Sequence, residues 1–235
     1  MKCFKISLVL FLMANLFISA QEVNQFDANG KRQGTWKKNF EGTNLIRYEG
    51  QFSHGKEIGL FKFYKNYKKK AILSATKQFN EKDNIADVKF LASSGKLISE
   101  GQMHGKTYIG TWKYYQKNSD ELLALEHYDD SGKLSGERFV YYPNGQIAEK
   151  QNYKAGKLDG ASFWYSEKHV VLKEFIYVNG ELHGYSKFYN PRGELISEGT
   201  YKNGKKHGVW NYYENGKLVD EKDFTYKPKH IKKTP

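Results

Sequence analysis

Glycine returns in this chain at a nearly fixed interval. The first glycine of a G-K-x-x-G-like turn falls at Gly30, Gly55, Gly105, Gly132, Gly156, Gly180 and Gly204, and the second at Gly34, Gly59, Gly110, Gly136, Gly160, Gly184 and Gly208. The last four anchors are 24 residues apart, the first two 25, and the 50 residues from Gly55 to Gly105 hold two periods. Phe79 to Ala86 (FNEKDNIA) supplies the missing third copy, parallel to Phe52 to Gly59 (FSHGKEIG) with both glycines lost. A period of this length marks a repeat architecture of about eight copies, in which each unit buries its face only against its neighbours.

Each copy holds two short aromatic or β-branched runs. One follows the second glycine (LFKFY, TWKYY, ASFWY, VWNYY), and the other follows a second turn such as PNGQI, PRGEL or ENGKL. Asn-Gly between such runs signals a hairpin, because both residues tolerate positive φ. Two strands and two turns fill the period, which leaves no helix to place. The fold expected is all-β: an elongated, twisted, single-layer antiparallel meander of about eight two-stranded repeats.

Alternation along a strand sorts side chains onto two faces. Two residues past the second glycine stand Trp36, Phe61, Val88, Trp112, Arg138, Ser162, Ser186 and Trp210, and two further on Phe63, Phe90, Tyr114, Val140, Trp164, Phe188 and Tyr212. This face is expected to be the packed one. The other face carries Lys37, Lys62, Lys89, Lys113 and Lys187, with Phe139 and Phe163 in two copies. Tyr64, Tyr115, Tyr141, Tyr165, Tyr189 and Tyr213 lie two residues beyond. These lysines and tyrosines are the candidate binding face. Only 39% of the chain is hydrophobic but 16% is aromatic, so ladders of rings that reach across strands must replace an aliphatic core.

Residues 1–20 (MKCFKISLVLFLMANLFISA) read as a signal peptide: Lys2 and Lys5, an apolar stretch, then Ser19-Ala20 as a processing end. The protein is therefore expected to be exported, to a periplasm or outside the cell. Cleavage after Ala20 removes the only cysteine and, with two lysines and no acid lost, lowers the net charge from +12 to +10. That excess favours anionic partners. Residues 226–235 (YKPKHIKKTP) form a basic tail, and residues 65–79 (KNYKKKAILSATKQF) a longer, basic connection, of which 66–78 are expected to be an extended loop or a modified strand pair.

The pattern Y-x-x-G-K-x-x-G-x-W-x-Y-Y followed by N-G-x-L resembles the MORN repeat family, in its bacterial variant with a period near 24. It is carried by Tyr201, Gly204, Gly208, Trp210, Tyr212, Tyr213, Gly216 and Leu218, and less completely by the other copies across residues 26–224. The resemblance implies a sheet that serves as an interaction or membrane-apposition module. Some bacterial relatives are labelled antitoxins.

No nucleophile elbow, P-loop, dinucleotide fingerprint or zinc motif occurs. His183 and His207 recur just before the second glycine, where polar turn residues account for them better than a metal does. The chain is expected to be a non-enzymatic protein-interaction scaffold of residues 21–225, without cofactor or metal. Peripheral binding of anionic membrane and toxin capping are the alternatives. A protein is the expected partner, anionic lipid the next, and nucleic acid is not expected.

Overall fold

The computed structural model describes residues 22–225; the expected signal peptide (1–20) and basic tail (226–235) lie outside the described residues. All regular structure among the described residues is strand: β1 (Gln25–Phe26), β2 (Arg32–Asn39), β3 (Ile46–Ser53), β4 (Lys56–Tyr67), β5 (Lys70–Phe79), β6 (Ile85–Leu91), β7 (Leu97–His104), β8 (Thr107–Tyr115), β9 (Leu122–Tyr128), β10 (Gly136–Tyr141), β11 (Ile147–Lys154), β12 (Lys157–Leu158), β13 (Gly160–Tyr165), β14 (Val171–Val178), β15 (Glu181–Leu182), β16 (Gly184–Tyr189), β17 (Leu195–Lys202), β18 (Lys205–Glu214) and β19 (Lys217–Asp223). They form one open antiparallel sheet of 19 strands in meander order. The two-residue strands β12 and β15 lead into β13 and β16, which pair back onto β11 and β14.

The glycines do what their spacing implies: all fourteen turn glycines have φ between +62° and +105°. In the third copy side chains replace them. Asn80 Oδ1 accepts from the Lys82 and Asp83 amides and Asp83 Oδ1 from Ile85, closing the β5–β6 turn. Every copy also carries one bulge at the same place, between residues four and five past the second glycine, as at Phe90/Leu91 or Phe188/Tyr189. A bulge bends its strand and sharpens the right-handed twist, and further register shifts lie at Gly50, Gly101 and Gly199.

The expected packed face is the buried one. Phe61, Val88, Trp112, Ser162, Ser186 and Trp210 are almost wholly inaccessible. Burial in a single layer works here by alternating large and small residues across strands. Phe61, Trp112 and Trp210 lie over Gly50, Gly101 and Gly199 of the preceding strand, where a Cβ would sit 2.4–2.5 Å from the ring. Where that preceding position is bulky, at Gln151 or Phe175, the next copy answers with Ser162 or Ser186. Between the two aromatic halves Arg138 donates to Glu126 (2.9 Å) and Gln151 (3.1 Å), and Tyr128 donates to Glu126 (2.7 Å).

The two edges differ. Along β2 the segment Asn24–Phe26 caps the sheet: the Asn24 amide donates to Thr35 O, Lys37 N–H donates to Asn24 Oδ1, and Phe26 meets Trp36 edge-on at 5.1 Å. At the other end β19 is exposed throughout and rich in charge, a common guard against edge-to-edge pairing.

Candidate interaction face

On the face opposite the buried rings, one row of side chains crosses the whole sheet. Through successive register pairs it reads Lys37, Glu49, Lys62, Thr76, Lys89, Glu100, Lys113, Leu125, Phe139, Lys150, Phe163, Glu174, Lys187, Glu198, Asn211, Glu221. Fifteen steps of about 4.8 Å make the row roughly 70 Å long. The five candidate lysines all lie in it.

Over the first half the row is a ladder of alternating charge. Glu49 stands between Lys37 (3.6 Å) and Lys62 (3.8 Å), and Glu100 lies 3.5 Å from Lys89 with Lys113 on its other side. Such exposed pairs are worth about 0.2–1 kcal/mol each. Around each of these two glutamates lies an open hollow, of about 290 Å³ at Glu49 and 350 Å³ at Glu100.

The tyrosine row splits into two groups. Tyr64, Tyr115, Tyr189 and Tyr213 donate to Glu49, Glu100, Glu174 and Glu198 at 2.6–2.8 Å, each acceptor fifteen residues upstream. Burial, and then the glutamate acceptors, push the Tyr64, Tyr115 and Tyr189 hydroxyls up to about 12. The Tyr115 hydroxyl and the nearby lysines in turn hold Glu100 below its ordinary range, against the effect of burial. These four tyrosines belong to the ladder. Tyr141 and Tyr165 do not: among the described residues their hydroxyls make no hydrogen bond, and their rings stack on Phe139 (6.3 Å) and His169 (5.0 Å).

The ladder breaks at the same place. From Leu125 to Phe163 the row turns apolar around a single cation, Lys150, which lies 5.5 Å from the Phe139 ring centroid and pairs with Glu137 at 2.6 Å. Alternation puts the exposed Leu123, Ile176, Val178, Tyr185, Ile196 and Val209 on this face too, from β9 to β18. The sequence singled out the substitutions Phe139 and Phe163 but not these exposed neighbours. Leu123 and Ile196 are the extra residues of their bulges, exposed because the bulge leaves them without an opposite partner.

Residues 134–155, 182–203 and 206–225 match the family model described as MORN repeat variant. These three segments are MORN-variant repeats. They lie in the C-terminal half of the chain. The copies upstream are tied to them by the shared row, bulge and turn geometry. MORN repeats are generally interaction modules for proteins or membrane lipid. No curated protein matches this chain. Among solved structures, a crystal structure of an S. aureus TarM mutant with fondaparinux, alpha-GlcNAc-glycerol and UDP aligns at 11% identity and TM-score 0.27. It covers 63% of this chain, which spans 21% of that one, a likeness too slight to inform the fold or the function. Among the described residues no group of three or more His, Cys, Asp or Glu side chains could hold a metal ion.

Proposed function

We propose that the protein is an exported, non-enzymatic scaffold that docks a protein partner on its lysine–tyrosine face, at the aromatic break between β9 and β13. The observation that carries this reading is the break itself. Elsewhere on the face each tyrosine hydroxyl named above has a carboxylate and the lysines stand beside acids in the row; here Phe139 and Phe163 flank Lys150 in the row, Tyr141 and Tyr165 lack a carboxylate acceptor among the described residues, and all four rings face solvent in part. Rigid aromatic groups beside a cation and exposed aliphatics have the composition of an interface centre. Export rests on residues 1–20 of the sequence. The absence of catalytic motifs and the use of the face's glutamates in the ladder support a non-enzymatic role.

A flat anionic bilayer fits the lysine row poorly. Six strand steps separate Lys37 from Lys113, and at about 20–25° of twist per step their directions differ by roughly 120–150°. The experiment is a photo-crosslinking residue placed at Leu123, beside the break, and at Leu60, on the charged half. The reading expects one discrete protein adduct from Leu123 in the cell's exported fraction and none from Leu60. Equal labelling from both positions, or none from Leu123, would overturn it.

A further inference from the structure

Hairpin β4–β5 alone overshoots the period. Other copies turn back at or one rung beyond the rung equivalent to Tyr64–Leu73, whereas here pairing continues through Lys65–Ile72, Asn66–Ala71 and Tyr67–Lys70. Three further rungs carry the tip about 10 Å past the Tyr64 rung. The modified strand pair, rather than the extended loop, is thus what residues 66–78 form.

The turn at this tip is also out of keeping with the chain. His54-Gly55, Ala155-Gly156, Asn179-Gly180, Asn203-Gly204 and Asn215-Gly216 all place glycine at the second left-handed position. Lys68-Lys69 holds both positions with lysine, at φ +50° and +58°. Long side chains disfavour that region, and such strain gathers at functional positions. The six residues from Lys65 to Lys70 carry four lysines and no acid. Tyr67 is 49% exposed, Lys68 lies 5.4 Å from its ring, and none of the four lysines has an acidic partner among the described residues.

We infer that this tip is a basic finger that enters an acidic recess on a protein partner, a contact separate from the aromatic break. A projection one hairpin wide fits a carboxylate-lined recess, whereas a bilayer would be met better by apolar side chains, which the tip lacks apart from Tyr67. The pairing is charge-complementary and should be sensitive to salt.

The test compares the purified parent with Lys68→Asn/Lys69→Gly, and with Lys117→Asn/Lys168→Asn as a charge-matched control at two other exposed turns. The probe is poly-L-glutamate, with phosphatidylglycerol vesicles and heparin as separate arms. Asn-Gly suits both left-handed positions, so the tip variant should be at least as stable to urea as the parent. It should nonetheless bind poly-L-glutamate roughly tenfold more weakly, while the control changes little. Equal loss in the control, no loss at the tip, a destabilised tip variant, or a loss confined to vesicles or heparin would overturn the inference. Poly-L-glutamate offers no apolar surface, so the result does not depend on whether the aromatic break binds a protein.

Discussion

Gly101→Ala should destabilise the protein through a single contact. The added Cβ would lie 2.5 Å from the Trp112 ring, about 1 Å inside ordinary van der Waals contact. Trp112 is fully buried and cannot withdraw without disturbing Tyr108, stacked on it at 3.9 Å, and Phe90 at 6.0 Å. Overpacking of this kind costs about 1–3 kcal/mol. Gly101 does not have a left-handed φ, so the backbone accepts alanine and the cost isolates the ring contact. Gly105→Ala is the control: nothing lies within 4 Å of its Cβ, but its φ of +62° strains any side chain there whatever residue 112 is. Trp112→Ser, the solution the chain itself uses at Ser162 and Ser186, should cost about 3–5 kcal/mol alone and abolish the penalty of Gly101→Ala. Urea unfolding by circular dichroism on the parent, the three single variants and the double mutant gives a coupling of about 1–3 kcal/mol if the slot is real. A Gly101→Ala protein within about 0.5 kcal/mol of the parent, or an unchanged penalty beside Ser at 112, would refute the large–small account of the buried face.

The other predictions concern the two faces and the leader. Tyr64, Tyr115 and Tyr189 should ionise near 12 in an absorbance titration. Because these folded values are raised, their contribution to stability is complete below the free-tyrosine value of about 10 and is lost as the pH climbs towards 12. Glu100 is depressed in the folded state, so its contribution holds above the ordinary glutamate range and fades as pH falls through the folded value. Tyr115→Phe should narrow that difference, with parent and variant converging in acid-unfolding curves at low pH. Arg138→Met strands the mostly buried Glu126 carboxylate and should cost about 3 kcal/mol, with most of it recovered in Arg138→Met/Glu126→Gln on denaturant titration. Mass analysis of the exported protein should find a chain starting at Gln21; a chain retained in the cell with its leader intact would remove the export reading.

The turns and the buried face were legible because both follow from local chemistry. Positive φ demands glycine at sites such as Gly132 and Gly136, and a period of two assigns Phe61, Trp112 and Trp210 to one side. What escaped depends on register across strands. Gly50, Gly101 and Gly199 are slots for rings eleven residues later, a spacing shared by Gln151–Ser162 and Phe175–Ser186. The Tyr–Glu hydrogen bonds recur at fifteen residues. Both intervals were present in the sequence, but they pick out pairs only once the register between neighbouring copies is known, and that register shifts at Gly50, Gly101 and Gly199 themselves. The bulge within each copy hides the exposure of Leu123 and Ile196. The β4–β5 finger was half legible: a strand pair was one of two readings, but Lys68-Lys69 is a poor turn sequence, and only the pairing on either side holds it there.

The most direct test of the proposed role is to restore the ladder where it breaks. Phe139→Lys/Lys150→Glu/Phe163→Lys rebuilds at β10, β11 and β13 the Lys–Glu–Lys order that β2, β3 and β4 already have. The crosslinker at Leu123 is then read in parent and variant, with urea midpoints measured on both. The account predicts an unchanged midpoint and a lost adduct. A variant that folds as well as the parent and still yields the same adduct would contradict it.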